Sequence, residues 1–228
     1  VLDWRGLNTD NEAVLYIKPD GTMRRLTYTD LSQTSNKFAN LLLKHGVRSS
    51  DRLFVMMQRV PEWYDVLFGA MKIGAVPMPG TTLLTEKDIL HRMQRSGATT
   101  AIVTADGLER IRKVRAKYKD LKRVIVVSEG IEALDSEISF HEEMKTVSEV
   151  VSRELHHRSA DSEMLIYFTS GTTADPKMVA HNHKYAFAHC VTAGNWMNLR
   201  ANDVHWTLTD TGWAKAAWGL LFLSLIHI

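Results

Sequence analysis

From about residue 52 to residue 127, short apolar runs alternate with longer amphipathic ones, and that rhythm leaves few folds open. The runs are Arg52-Leu53-Phe54-Val55-Met56-Met57, Ala75-Val76-Pro77-Met78-Pro79, Thr100-Ala101-Ile102-Val103-Thr104 and Arg123-Val124-Ile125-Val126-Val127. Each is too short for a helix and apolar without alternation, the pattern of a strand buried on both faces. Between them, Pro61 opens a helix running to Met71, a second helix covers about 86–96, and a basic one covers about 108–118. Repeated strand-helix units of this kind imply class α/β, with a largely parallel, doubly wound sheet.

The flanks extend the pattern. Leu26-Thr27-Tyr28-Thr29-Asp30-Leu31 places a strand-like start beside an N-cap, and Leu31, Phe38, Leu41 and Leu42 then recur at helical spacing up to Gly46. Residues 131–158 are more polar, a surface connection with one helix. Met164-Leu165-Ile166-Tyr167-Phe168 reads as a strand, followed by a hydroxyl-rich loop, a helix at about 184–197 and a further strand at Val204-His205-Trp206-Thr207-Leu208. The uncharged run 216–228 falls short of the ~20 residues that span a bilayer, so no transmembrane segment is expected. With no polar tail, its apolar face calls for cover from further along, and the chain reads as truncated.

Composition narrows the partners. With 28 Lys+Arg against 26 Asp+Glu the net charge is +2, so no global field favours nucleic acid or an anionic membrane, and specificity must come from a local site. The strongest charge cluster, Arg110, Arg112, Lys113, Arg115, Lys117, Lys119, Lys122 and Arg123, alternates with Ile111, Val114 and Tyr118. It reads as a solvated helix face rather than an anion site. Cys190 stands alone, without a partner for a disulfide, and sits in an apolar stretch as a small core residue. The first residues show no basic or long apolar leader, so localisation is not visible from that end.

Chemistry concentrates in Thr169-Ser170-Gly171-Thr172-Thr173-Ala174-Asp175-Pro176-Lys177, which puts four hydroxyls, one glycine and one lysine directly after an apolar strand. Such a loop can offer main-chain N–H and side-chain O–H groups to phosphate oxygens, with Gly171 allowing close approach and Lys177 adding a point charge. It is not a Walker A loop, which needs a second glycine before Lys-Ser/Thr. By composition alone it fits an ordinary polar turn between strand and helix equally well. His181 and His183 follow closely. They read as polar residues at a helix entry, without the spaced carboxylate or cysteine that a metal site needs, and no metal ligand is assigned.

The stretch Tyr167 to Lys177 resembles the signature loop of the adenylate-forming (AMP-binding) superfamily, Y-T-S-G-T-T-G-x-P-K. Leu26-Thr27-Tyr28-Thr29-Asp30-Leu31 is similar to that family's L-T-Y-x-E-L motif, and Met71-Lys72-Ile73-Gly74-Ala75-Val76-Pro77-Met78-Pro79 to its L-K-x-G-A-x-x-x-P motif. Arg59-Val60-Pro61-Glu62-Trp63 and Thr209-Asp210-Thr211-Gly212-Trp213 resemble the medium-chain acyl-CoA synthetase branch, and the similarity runs from about Asp3 to Phe222. Residues 223–228 do not match and read as foreign to it.

The resemblance implies the doubly wound sheets of an adenylate-forming N-terminal domain, truncated: residues 1–228 as a partial AMP-binding domain, with the C-terminal domain absent. It implies a ligase that adenylates a small-molecule carboxylic acid with ATP and Mg2+, then transfers the acyl group to coenzyme A; the fragment alone would be inactive. It assigns Lys177 as catalytic and Thr169, Ser170, Gly171, Thr172, Thr173 and Lys177 as nucleotide-binding. Gly212 and Trp213 would wall the acyl pocket, although Trp213 also fits a core tryptophan at a helix start. Ala174 departs from the family's glycine, which would strain the loop if that position needs positive φ. Two alternatives are a non-catalytic nucleotide-binding protein of the same fold and an adenylation enzyme with another acceptor. The branch implies the mitochondrial matrix for a eukaryotic source and the cytoplasm for a bacterial one.

Overall fold

A computed structural model describes residues 2–8, 11–131, 133–152, 159–169, 175–200 and 203–227. Its centre is a five-stranded parallel sheet of β3 (Arg52–Met56), β4 (Val76–Pro79), β5 (Thr100–Val103), β6 (Arg123–Val126) and β7 (Ile138–Ser139), in the order β4-β3-β5-β6-β7. Helices α3 (Glu62–Lys72), α4 (Glu86–Ser96) and α5 (Ala105–Lys117) make the crossovers. The chain winds outward from β3 to β4, then returns to β5 on the other side and continues to β7. That reversal is what makes the sheet doubly wound, as its sequence rhythm predicts.

Alternate strand residues feed two cores. Leu53, Val55, Ile102 and Ile125 pack with α2 (Tyr28–Lys44) and α3, while Phe54, Met56, Val103 and Val124 pack with α4 and α5. A strand buried on both faces has no polar alternation to show, which accounts for the unbroken apolar runs. Local signals set the helix ends. Thr27 and Asp30 form a reciprocal capping box at the start of α2, Thr85 and Asp88 form another on α4, and Gly97 closes α4 at φ +70°. Ahead of α2, α1 (Leu2–Asn8) packs on it, and β1 (Glu12–Ile17) pairs antiparallel with β2 (Met23–Thr27).

The α2–α3 seam holds a half-buried polar knot. The Lys72 ammonium donates to Asp3 (2.5 Å), to the Ser32 carbonyl (3.1 Å) and to Asn36 (2.7 Å). Nearby, the Asp65 carboxyl accepts a hydrogen bond from the Thr34 hydroxyl. Burial, with Glu62 adding repulsion, pushes its pKa up to about 7 against the opposing pull of Thr34, Arg24 and Lys72.

Three expectations need correction. First, the hydroxyl-rich loop does not lead straight to a helix. It connects β8 (Glu163–Thr169) to β9 (Lys177–Asn182), an antiparallel hairpin, and only then does α7 (His183–Met197) begin. Second, 204–208 has no ladder partner among the described residues; the alternation is there, with Val204, Trp206 and Leu208 exposed, but no strand lies beside it. Third, the apolar end finds cover within the chain. After the short α8 (Ala214–Ala216), Ala217–His227 forms a π-helix whose Ala217, Leu221, Phe222 and Leu225 are buried in the α2–α3 core. Residues spaced i, i+4 and i+5 share a face at that wider pitch. The polar connection 131–158 holds β7 and α6 (Phe140–Thr146), one helix as expected among its described residues.

Candidate active site

Open α/β sheets bind ligands in the crevice at the carboxyl ends of their strands, where the winding reverses. Here that edge lies between β3 and β5. It is tied together by hydrogen bonds: the Gln58 N–H donates to the Thr104 hydroxyl (3.0 Å), and that hydroxyl donates to Asp106 (2.6 Å).

The segment Thr209-Asp210-Thr211-Gly212-Trp213 crosses this edge. Asp210 accepts the Gly212 N–H at 2.8 Å, folding a tight turn. The buried Thr211 hydroxyl donates to the Met57 carbonyl at 2.5 Å, fastening the turn just past β3. Gly212 lies against the backbone just past β4; a Cβ there would meet Thr81 N, Gly80 C and Thr81 Cα. Only glycine allows so close an approach. Trp213 starts α8 as expected, but its side chain is 58% exposed, so it is not the core tryptophan that composition left open.

The hairpin reaches the same edge. Glu163 at the start of β8 pairs with Arg52 at the start of β3 (3.1 Å), and β8 lies alongside β4. A strand beginning at the amino edge and running beside β4 must end at the carboxyl edge. Leu165 and Tyr167 enter one core and Ile166 the other, as in the central strands. Thr169 therefore stands exposed at the site edge, directly across the ladder from exposed Lys177. Lys177 is the first residue of a strand, and among the described residues no carboxylate pairs with it. Asp175 and Pro176 lead into β9; Ser170, Gly171, Thr172, Thr173 and Ala174 lie outside the described residues.

His181 and Cys190 do not join this edge. His181 is four residues along β9 from Lys177, ~13 Å at strand rise. Its ring packs on Tyr185 and Trp218, with centroids 4.8 and 4.9 Å apart, and desolvation lowers its pKa. His183 is the first residue of α7, at the helix entry as expected, behind the Asn182 cap. Cys190 is half-buried, its thiol raised by desolvation and donating to the Ala186 carbonyl (3.4 Å). A cleft of about 310 Å3 lined by Asp161, Glu163, His181, Asn182 and Tyr185 opens at the far end of the hairpin. Its two carboxylates already pair with Lys184 and Arg52 and would repel phosphate, so it is no rival nucleotide site. Among the described residues no group of three or more His, Cys, Asp or Glu is placed to hold a metal.

What sequence reasoning missed is the Thr211 fastening and the Gln58–Thr104–Asp106 tie. Their hydroxyls were visible in sequence, but nothing there indicated that they bond across strand ends.

Comparison with known proteins agrees with this fold. Residues 3–227 match the family model described as AMP-binding enzyme. The match continues past Phe222, so 223–227 fall within the family's length, contrary to the sequence reading. Among curated proteins, the mitochondrial acyl-coenzyme A synthetase ACSM3 of Mus musculus is 37% identical over 220 residues, 95% of this chain and 37% of that protein. The mitochondrial acyl-coenzyme A synthetase ACSM5 of Homo sapiens is 33% identical over 222 residues, 96% of this chain and 38% of that protein. The solved acyl-CoA synthetase of Brucella canis superposes with a TM-score of 0.85 at 25% identity, covering 96% of this chain and 40% of that one. The chain thus spans a little over a third of the length of these curated relatives.

Proposed function

On the premise that this chain belongs to the AMP-binding enzyme family, we propose that the whole protein is an ATP-dependent medium-chain fatty acid:CoA ligase. These residues would form the first part of its adenylation domain, with the rest of that domain and a C-terminal domain outside the chain. The observation that carries the reading is the convergence on one sheet edge of Thr169 and Lys177, locked opposite each other, with the fastened Gly212–Trp213 turn.

In the proposed reaction the fatty carboxylate attacks the α-phosphate of ATP, the bond to pyrophosphate breaks, and an acyl-adenylate forms. The thiol sulfur of coenzyme A then attacks the acyl carbonyl, its proton passes to base or solvent, and AMP leaves. Both steps are displacements in which negative charge moves onto a departing phosphate, so alignment and charge neutralisation are the main demands on the protein. Lys177 supplies a positive charge to the β- and γ-phosphates, Thr169 a hydroxyl, and Ser170, Gly171, Thr172 and Thr173 the donors of the tip. Trp213 and Gly212 wall the acyl chain. Mg2+ would arrive on the ATP phosphates. The names of ACSM3 and ACSM5 support a mitochondrial address for a eukaryotic source; the matrix would be the compartment there, and the cytoplasm for a bacterial source.

The test is carboxylate-dependent exchange of labelled pyrophosphate into ATP, on the chain joined to its continuation, with acids from butyrate to decanoate. Exchange should peak at a medium chain length and fall by at least about tenfold in Lys177→Ala, ~1.4 kcal/mol of lost transition-state stabilisation. ATP binding without exchange for any acid would sink the ligase reading in favour of a non-catalytic nucleotide binder.

A further inference from the structure

Of the 28 Lys and Arg residues, eight fall within residues 110–123, accompanied there by a single acidic residue, Asp120. The structure divides these cations into two sets. The four arginines are committed to the protein. Arg112 grips the Glu137 carboxylate with two bonds of 2.8 and 2.9 Å and reaches Glu109 at 2.7 Å. Arg110 donates to the Leu84 and Asp106 carbonyls, Arg115 to that of Ser136, and Arg123 to those of His45 and Gly46.

The lysines are different. Lys117 meets Glu86, whereas Lys113, Lys119 and Lys122 are exposed and make no ion pair among the described residues. Lys119 and Lys122 edge a groove of about 670 Å3 between the end of α5 and the segment before β7, floored by Leu121 and rimmed by Leu134. Leu134 is 53% exposed, an apolar side chain facing Lys119 and Lys122 across the groove, with Asp135 and the Arg112-bound Glu137 on its own segment.

We propose that this face is a contact surface for an anionic phospholipid bilayer. The division of labour favours a bilayer over an acidic peptide. Guanidinium forks, which recognise carboxylates directionally, are occupied internally, and what remains are exposed ammonium groups that act as point charges without register. Such groups match a diffuse negative surface, and Leu134 offers a short apolar anchor beside them. The near-zero net charge hides this, because outside residues 110–123 acidic residues outnumber basic ones. Under the ligase reading, contact would bring the chain to the phase where fatty acids collect; the proposal itself does not depend on that reading.

Flotation with vesicles tests it, using phosphatidylcholine mixed with phosphatidylglycerol against phosphatidylcholine alone. The chain should bind the mixed vesicles at low salt, release them at about 0.5 M salt as screening shortens, and ignore the neutral ones. The triple reversal Lys113→Glu, Lys119→Glu, Lys122→Glu should lower the partition coefficient by roughly a hundredfold with an unchanged circular dichroism spectrum. Should that variant misfold, the salt dependence of the unmodified chain decides. Equal binding to neutral vesicles would assign attachment to apolar surface such as Phe187 and Trp196 of α7 and overturn the proposal. So would binding that survives the reversal, or capture by polyglutamate but not by vesicles.

Discussion

Replacing Gly212 by alanine probes the fastened turn directly. The added Cβ would stand 1.9 Å from Thr81 N, with further main-chain atoms of Gly80 and Thr81 close behind it. Backbone cannot swing aside as a side-chain tip can, so the turn must retreat by about 1.5 Å to regain ordinary contact. That retreat carries Thr211 with it and opens the 2.5 Å bond to the Met57 carbonyl, leaving a buried hydroxyl and carbonyl short of partners. Loss of the bond costs about 1–3 kcal/mol, and the overpacking costs about 1–3 kcal/mol. A combined loss of ~3 kcal/mol lowers the melting temperature by about 6–12 °C in a chain of this size. Thermal and urea unfolding followed by circular dichroism give the number. If Gly212→Ala melts within about 2 °C of the parent, the turn is not wedged against β4 and the reasoning fails.

Asp65 gives a pH signature. Its folded pKa, pushed up to about 7, lies above its unfolded value of 3.8, so the folded state holds a proton that the unfolded state releases first. Stability should therefore fall as pH rises from about 4 to 7, by on the order of 4 kcal/mol at most, and level off above. In urea titrations across that range, Asp65→Asn should remove the fall; an unchanged slope would mean another group carries it. Ala174→Gly should increase pyrophosphate exchange in the completed protein if the tip needs positive φ there, and equal rates would show that alanine is accommodated.

Strands β3 to β6 were legible because each lies between two cores and shows it as an unbroken apolar run, from Leu53 to Val127, whereas β7, two half-buried residues, left no such run. The helix ends were legible because Thr27 and Pro61 act locally. Strand β9 was not, since Val179 and Ala180 face outward and no core writes a period into Lys177–Asn182. Residues 204–208 erred the other way: alternation reports a two-sided environment, and an extended segment with one solvated side produces it without a partner. Within the candidate site, residue types were visible in sequence but relations were not. Thr169 and Lys177, the flanks of the hydroxyl-rich stretch, and the Gly212–Trp213 pair stand apart in sequence, and only the strand order brings them to one edge.

The hairpin ladder imposes a parity rule on the tip. Thr169 and Lys177 face each other in fixed register, and side chains along a strand alternate between faces. A tip lengthened or shortened by two residues could be absorbed with Lys177 still on its present side. A change of one, if taken up by sliding β9, would turn Lys177 to the opposite side and expose whichever neighbour replaced it. Variation in the loop's length is therefore filtered by odd and even before any question of which residues it contains.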